Sequence, residues 1–455
     1  MRNIALRNNA HIAVIGAGPA GSFFAITALK EAAKLNKKVN ITLFDRRRFS
    51  SKGPRGCNMC AGIIQSEMVK QLNELDLPIP SKVKQGEIKG YAFCIENLCA
   101  SIIKENPFPI TTVFRGGGPT QSALLNGKIS FDHFLLEKAV SKGARFENEQ
   151  VKVIKIPSKD DEPFRIIFGN ESKVLSADLL IGAFGVNSRS SIAQLIPEYQ
   201  PPENWHAYQA EIFLGQEYIQ KKFRNMVHIC FIKPRGIKYL AAIPKGDYLT
   251  ITAIGKNVNL NELHQAINHS EIRQYLPDQW RIKCYCHPWL PVTPAFKPYG
   301  NRLIIIGDAS YSRFLKNGIH SAYITAHYAA KAALNKGISK DELKKYYDRP
   351  CRKKFVHDNL CGRFLLHVLD FILTRKILSQ SYLKLVTKEN QGLANSHRKS
   401  RSYLQRQNLS DLLWNLYTGN VPYKHVLTKT LSPVLLLKLG MEFIKTSLEE
   451  RRHAT

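Results

Sequence analysis

Hydrophobic and polar positions along this chain fall into two rhythms. Residues 11–16 (HIAVIG) form an apolar run of strand length, residues 19–35 continue as an Ala-rich helical pattern, and 39–45 (VNITLFD) return to a strand. Strand, helix and strand within about 35 residues predict a right-handed parallel crossover. From about residue 86 to 112 the period shifts toward two, through IKGYAFCIEN and LCASIIKE, which predicts antiparallel strands outside the parallel sheet. A helix is expected over 131–144 (FDHFLLEKAVSKGA), and a hairpin from VKVIKIP and FRIIFGN around the polar loop SKDDEP. DLLIGAFG (178–185) and RLIIIGD (302–308) have the continuous apolar character of buried parallel strands. Segments 206–214, 227–233, 238–243 and 248–254 predict a second sheet, and 319–334 a second Ala-rich helix. Beyond about residue 336 the chain reads as helical and basic, with a polar, low-order loop expected over 388–409. No internal repeat is present.

Composition narrows the class. A chain of 455 residues suggests about three domains. Apolar residues at 44% and aromatics at 10% supply sizeable cores and exclude wholesale disorder. The net charge of +30 predicts attraction to something anionic, whether nucleic acid, lipid or a phosphorylated small molecule. Nine cysteines, irregularly spaced, exclude a disulfide-rich secreted scaffold. The N-terminus lacks the cleavage region of a signal peptide. Residues 8–29 carry no formal charge and imitate a membrane span, but Gly16, Gly18, Pro19 and Gly21 interrupt them. A strand, a tight turn and a new helix explain that pattern better. The expected location is cytoplasmic, with a peripheral place on the inner face of the membrane left open.

The first chemical motif sits in that turn. Gly16-Ala17-Gly18-Pro19-Ala20-Gly21 is GxGxxG, following a strand and opening a helix. Gly16 permits the tight turn, Gly18 lets a pyrophosphate approach the backbone, and Gly21 lets the helix pack closely on the strand. The helix N-terminus then faces the phosphates. Asp45, with Arg46 beside it, ends the next strand where a ribose is held. These residues predict dinucleotide binding.

Further motifs choose the dinucleotide. GAGPAG looks like flavoprotein oxidoreductases more than nicotinamide dehydrogenases. RLIIIGDAS resembles the second flavin motif, whose Gly-Asp pair is Gly307-Asp308 here; the resemblance assigns the Asp to the ribityl chain. KNGIHSAYITAHYAAKAAL resembles the helix that follows, placing Asn317, Gly318 and Ile319 at the pyrimidine end of the flavin. A positive helix end there stabilises negative charge on the reduced ring. Lys316 either adds to that charge or is a solvated loop lysine. DLLIGAFGVNSRSSI resembles the middle motif, with Gly185, Ser188 and Arg189 matching and Phe184 in place of its Asp, which counts against the hydroxylase reaction class. Lys128 occupies the place of an FAD-contacting Arg, and Asp132 reads as either part of that segment or a helix cap.

The whole span from residue 11 to about 335 resembles the geranylgeranyl reductase family of FAD-dependent oxidoreductases. The resemblance implies an α/β fold with a discontinuous Rossmann-like FAD-binding domain (1–85, 126–200 and 298–339). A mixed β-sheet substrate domain (86–125 and 201–297) and a helical basic C-terminal region (340–455) complete it. CAGIIQSEMVKQLNELDLP (60–78) resembles the family loop that lies over the isoalloxazine, which makes Cys60 the catalytic candidate. YLAAIPKGDYLTITAIG (239–255) resembles the strand lining the substrate cavity. Tyr239, Pro244 and Gly246 match it, while Ala241 and Ile243 stand where the family has Trp and Phe, reshaping the cavity. The implied activity is reduction of carbon–carbon double bonds in an isoprenoid or other lipid-like substrate, with FAD as cofactor and NAD(P)H or ferredoxin as candidate electron donors. An FAD monooxygenase or halogenase, or a membrane-associated electron-transfer flavoprotein, are the alternatives. The Trp-x-Trp-x-Ile-Pro signature of halogenases is missing.

Several features stay open at this level. Cys57-Asn58-Met59-Cys60 reads as a redox pair, as half of a zinc site with Cys284, Cys286 and His287, or as a reduced loop in which Cys60 alone meets the flavin. No metal is assigned. Cys94 and Cys99 read as small core residues, and His320 as a proton relay or a helix-terminus residue. Arg115-Gly116-Gly117-Gly118-Pro119 is either a phosphate clamp or a connector. In the C-terminal region Lys and Arg outnumber Asp and Glu more than twofold, between apolar runs such as PVLLLKLGMEFIK. That pattern fits an anionic membrane surface or a packed helical cap. Nucleic acid is not expected, because no binding motif appears and the charge is spread along the chain.

Overall fold

Strand alternation sets the layers. Within Ala10–Ile15, Ile12 and Val14 enter a core shared with helices, while Ala13 enters a separate core on the opposite face. In this computed structural model, residues 4–51, 60–116, 127–157, 162–187, 194–232, 236–395 and 408–454 are described. The first strand lies inside a six-stranded sheet in the order Tyr299–Gly300, Leu303–Ile305, Leu179–Gly182, Ala10–Ile15, Val39–Phe44, Arg145–Glu147. Every neighbour runs parallel except the Tyr299–Gly300 edge. Helices Pro19–Lys34, Phe131–Ser141 and Gly318–Asn335 pack on one face. Three antiparallel strands, Val151–Lys155, Phe164–Phe168 and Lys173–Ala177, cover the other. The first two are the expected hairpin; the third was not anticipated. Part of the SKDDEP loop lies outside the described residues.

The chain leaves this sheet twice to build a second one. Its seven strands run in the order Ile282–Cys286, Tyr208–Phe213, Tyr248–Gly255, Ile237–Lys245, Met226–Cys230, Gly90–Ile95, Leu98–Ile103. All pairings are antiparallel except Met226–Cys230 on Gly90–Ile95. One face packs on Gln216–Phe223, Leu260–Asn268 and the turn Glu271–Tyr275. The other packs on the C-terminal helices. Cys94 and Cys99, expected as free core residues, form a disulfide across the hairpin, because the register sets them opposite each other.

Among the described residues from Arg349 onward the elements are helices: Arg349–Leu373, Lys376–Asn395, Leu409–Thr418, Tyr423–Thr430 and Pro433–Ala454. Residues 388–395, expected as the start of a loop, instead belong to helix Lys376–Asn395. Tertiary contacts hold that last turn: Lys388 pairs with Glu442 at 2.6 Å, and the Ser410 amide donates to Glu389 at 3.0 Å. Residues 396–407 lie outside the described set. Helices Leu409–Thr418 and Tyr423–Thr430 bury Trp414, Tyr417 and Tyr423 in one core with Phe93 and Tyr239 of the second sheet. The Tyr423 ring lies so close to Gly362 that a Cβ there would meet it at 2.6 Å, so helices Arg349–Leu373 and Tyr423–Thr430 meet in near contact. No helix among the described residues is long and apolar enough to cross a membrane.

Candidate active site

Between the two sheets lies a cavity of about 1320 Å³. That exceeds the ~300–1,000 Å³ of a typical small-molecule site, leaving room for a dinucleotide and a second ligand. One wall comes from the parallel sheet and its loops: Gly16, Gly18, Pro19 and Ala20, then Asp45 and Arg46, then Gly185, Gly307 and Asp308, then Asn317, Gly318 and Ile319. The opposite wall comes from the second sheet and includes Tyr91, Ile229, Tyr239, Ala241, Ile243 and Ile254. Cys60 and Arg115 line the space, and Tyr417 closes it from the C-terminal helices.

The glycine cradle has the geometry its spacing implies. Gly16 has φ +109°, and a Cβ there would meet the Ala183 carbonyl oxygen at 2.3 Å. Gly21 does not line the cavity; it packs on Gly16, whose oxygen a Cβ would meet at 1.9 Å. Helices Pro19–Lys34 and Gly318–Asn335 both begin at the cavity, with no side chain capping their first amides. Two uncapped helix N-termini leave donors aimed at an anion or a carbonyl. Asp308 adds the complement. Its carboxyl is buried, one oxygen (Oδ1) has no hydrogen-bond partner, and burial raises its pKa despite Ser312 and Arg115 nearby. A buried acceptor left without a donor is costly, and the ribityl hydroxyls of FAD fit that deficit.

Other candidates are placed differently. Asp45 is buried, accepts from the Ala17 amide at 3.1 Å and pairs with Arg47, whose Nε lies 3.2 Å from Oδ1. Lys128 is not brought to the cavity: its ammonium donates to the Ser81 and Lys84 carbonyls at 2.8 and 2.7 Å. Asp132 does not cap its helix. Ser130 does, accepting from the His133 amide, while Asp132 takes the Arg115 guanidinium in a two-point contact of 2.5 and 3.2 Å. Lys316 is neither solvated nor free for a flavin. The residue lines the cavity, and its ammonium donates to the Leu416 carbonyl at 2.6 Å over the Tyr417 ring. Burial, with Arg313 beside it, pushes this lysine well below its usual range. His320 lies behind the helix start. Its Nδ1 meets the Gln65 side-chain amide at 2.6 Å, whose NH₂ then turns to the Thr418 and Gly419 carbonyls. Burial, followed by Lys354 and Arg313, lowers His320 to about 4.

Cys60 is held at the cavity by its neighbours. The Gly62 amide donates to its sulfur at 3.4 Å, and the Gln209 side chain donates to its carbonyl at 3.3 Å. The Arg115 guanidinium faces the same sulfur. Burial disfavours that cation, but Asp132 and Cys60 outweigh the penalty and keep it protonated. Cys57 and the glycines after Gly116 lie outside the described residues, as do Ser188 and Arg189. Cys284 and Cys286 sit on the far edge strand, and no group of three or more metal-ligating side chains exists among the described residues.

Motif reading missed the C-terminal contribution to this site. Arg313 donates to the Gly419 and Val421 carbonyls, Asn317 donates to Gly419, and Asn359 fixes the loop through the Phe314 amide and the Ser312 carbonyl. The helices after residue 400 are therefore part of the cavity wall. The one sequence signal was the Gly419 turn, where φ is +68° and a Cβ would meet Asn317 at 2.2 Å.

The glycine cradle, the unpartnered Asp308 oxygen and the two-sheet cleft fit the dinucleotide site of an FAD-dependent oxidoreductase, the class to which the similar proteins point. No protein-family model matches the chain. A geranylgeranyl diphosphate reductase of Synechocystis sp. is 26% identical over 350 residues, covering 70% of this chain and 74% of its own length. Among solved structures, a geranylgeranyl bacteriochlorophyll reductase-like protein from Thermoplasma acidophilum aligns with a TM-score of 0.64 at 16% identity, over 90% of this chain and 99% of that one. A halogenase solved with phloroglucinol and FAD aligns at 0.60 and 12% identity, over 96% and 97%. These structural matches speak to the fold. The chain is thus similar, in sequence and in fold, to geranylgeranyl-reductase-like FAD-dependent oxidoreductases.

Proposed function

We propose that this protein reduces carbon–carbon double bonds of an isoprenoid or similarly apolar lipid. The observation that carries the reading is one continuous cavity, with a dinucleotide cradle on one wall and Tyr91, Ile229, Tyr239, Ala241, Ile243 and Ile254 on the other. In this reading Gly16, Gly18 and the helix start at Pro19 and Ala20 hold the FAD pyrophosphate, and Asp45 with Arg46 meets the ribose. Asp308 takes the ribityl chain, and Gly185 with the Asn317–Ile319 amides borders the ring. FAD, when bound there, supplies hydride chemistry. The chain's own residues orient and dry the alkene: Tyr239, Ala241 and Ile243 form its bed, and the second sheet excludes water. The Cys60 thiol is the candidate proton donor, with Arg115 facing the charge left on sulfur and Asp132 holding Arg115 in place. NAD(P)H or ferredoxin would re-reduce the cofactor. A lipid substrate also places the protein at a membrane surface.

Mass spectrometry of copurifying lipids, before and after anaerobic reduction of the bound flavin, tests the reaction. The expected product gains two hydrogens. A product gaining oxygen or halogen under air, or flavin oxidation by a quinone with no lipid product, would overturn the proposal. Cys60→Ala is expected to lower turnover by roughly 10²–10⁴-fold with flavin absorbance retained.

A further inference from the structure

Helix Pro433–Ala454 keeps a second apolar face besides the one it packs with, and that second face points to solvent. Val434, Leu437, Met441, Ile444 and Leu448 point outward, at 53%, 65%, 57%, 61% and 53% exposure, whereas Glu442 and Thr446 are buried. The inward side combines Leu435, at 3% exposure, and Leu439 with these polar groups, and it is ion-paired to helix Lys376–Asn395. Lys388 meets Glu442 at 2.6 Å, Lys384 meets Glu449 at 2.7 Å and Lys376 meets Glu450 at 3.0 Å. Every carboxylate of the last helix is engaged on that side. Monomeric proteins rarely expose a contiguous apolar face of this extent without a partner.

Two occupants fit an apolar stripe spaced by three and four: a second copy in a coiled coil, or a lipid surface. The flanks decide between them. With Val434 as position a, the e positions are Lys438, Lys445 and Arg452, and the g positions are Gly440 and Ser447. Parallel pairing would set these cations against neutral residues, and antiparallel pairing would set them against one another. Neither supplies an acidic partner. Leu436 and Phe443, at 52% and 36% exposure, also widen the apolar arc beyond a coiled-coil seam. A broad apolar face edged by Lys445 and Arg452, with Lys438 beside them 3.9 Å from Glu389, complements a negatively charged bilayer. The helix does not meet the length and apolarity of a membrane span, so contact with a bilayer would be interfacial.

We propose that helix Pro433–Ala454 is an interfacial anchor that lies in the headgroup plane of an anionic bilayer. This deepens the lipid-substrate reading by naming the element that meets the membrane. Its readout is binding rather than turnover, so either idea can fail while the other stands. The test is flotation of the full-length, FAD-loaded protein with phosphatidylcholine vesicles containing phosphatidylglycerol, against phosphatidylcholine alone. Binding to the anionic vesicles is expected to be stronger by about tenfold or more and to weaken at high salt. Leu437→Glu with Ile444→Glu is expected to remove it with flavin absorbance and melting unchanged. Lys445→Glu, which spares the apolar face, is expected to weaken it severalfold. Absence of vesicle binding, equal binding to both vesicle types, or a dimer in light scattering that the double variant dissolves would each overturn the proposal.

Discussion

The first and last helices of this protein are built from similar material and end in opposite situations. Pro19–Lys34 buries Phe23, Phe24 and Ile26 at 1%, 0% and 2% exposure, while Pro433–Ala454 leaves Leu437 and Ile444 at 65% and 61%. The difference lies in the small residues between the large ones. Gly21, Ala25, Ala28 and Ala32 let the first helix approach the sheet and the Ala-rich helix Gly318–Asn335, which offers Ala326, Ala329, Ala330 and Ala333 in return. Gly440 in the last helix has open space around it, with nothing that an added Cβ would meet. An apolar stripe thus announces a partner, and the small residues beside it tell whether that partner is the same chain.

The comparison breaks most sharply at its glycines. Gly21→Val would drive a side chain into the Gly16 carbonyl, so loss of flavin absorbance and of a cooperative melt is expected; Gly440→Val should leave both in place, with at most a gain of a few tenths of a kcal/mol (about 0.3) from helix propensity. Next come the large side chains. Phe24→Ala is expected to cost about 3–5 kcal/mol in denaturant unfolding, and Leu437→Ala to stay within about 0.5 kcal/mol. Acid sharpens the contrast further. His320, on the helix that packs against the first, is held at about 4 by burial, and His228 under the second sheet likewise at about 4. Between about pH 6.5 and 4 the unfolded chain binds more protons at these sites than the folded one, so stability falls as pH falls through that window. His320→Gln should flatten the melting profile there. Smallest is the response to salt. Raised ionic strength screens the exposed lysine–glutamate pairs under the last helix, so hydrogen exchange should quicken in 433–454 and not in 19–34.

Much of the cradle was legible because its demands are local. Gly16 needs a backbone that other residues resist, and Gly21 needs the absence of a Cβ; both needs are met within a few residues of sequence. Asp308 was legible for the same reason, lying one residue from its motif glycine. The misplacements all involve partners far away in the chain. Lys128 is drawn to carbonyls some 45 residues earlier, and Lys316 to one 100 residues later. Arg115 and Asp132 were each noted without their pairing, since nothing in a spacing of 17 announces a two-point ion pair.

By itself the sequence determined a dinucleotide cradle in a parallel α/β unit, because glycine geometry and strand periodicity are constraints that neighbouring residues impose on one another; the choice of flavin rested on the resemblance of its motifs to those of flavoproteins. Only the tertiary structure decided that the C-terminal helices wall the cavity, that Lys316 is shut in beneath Tyr417, and that the last helix turns its leucines outward. Those outcomes depend on which buried carbonyls and carboxylates satisfy which distant cations. A polar group taken out of water must find a partner wherever the fold supplies one.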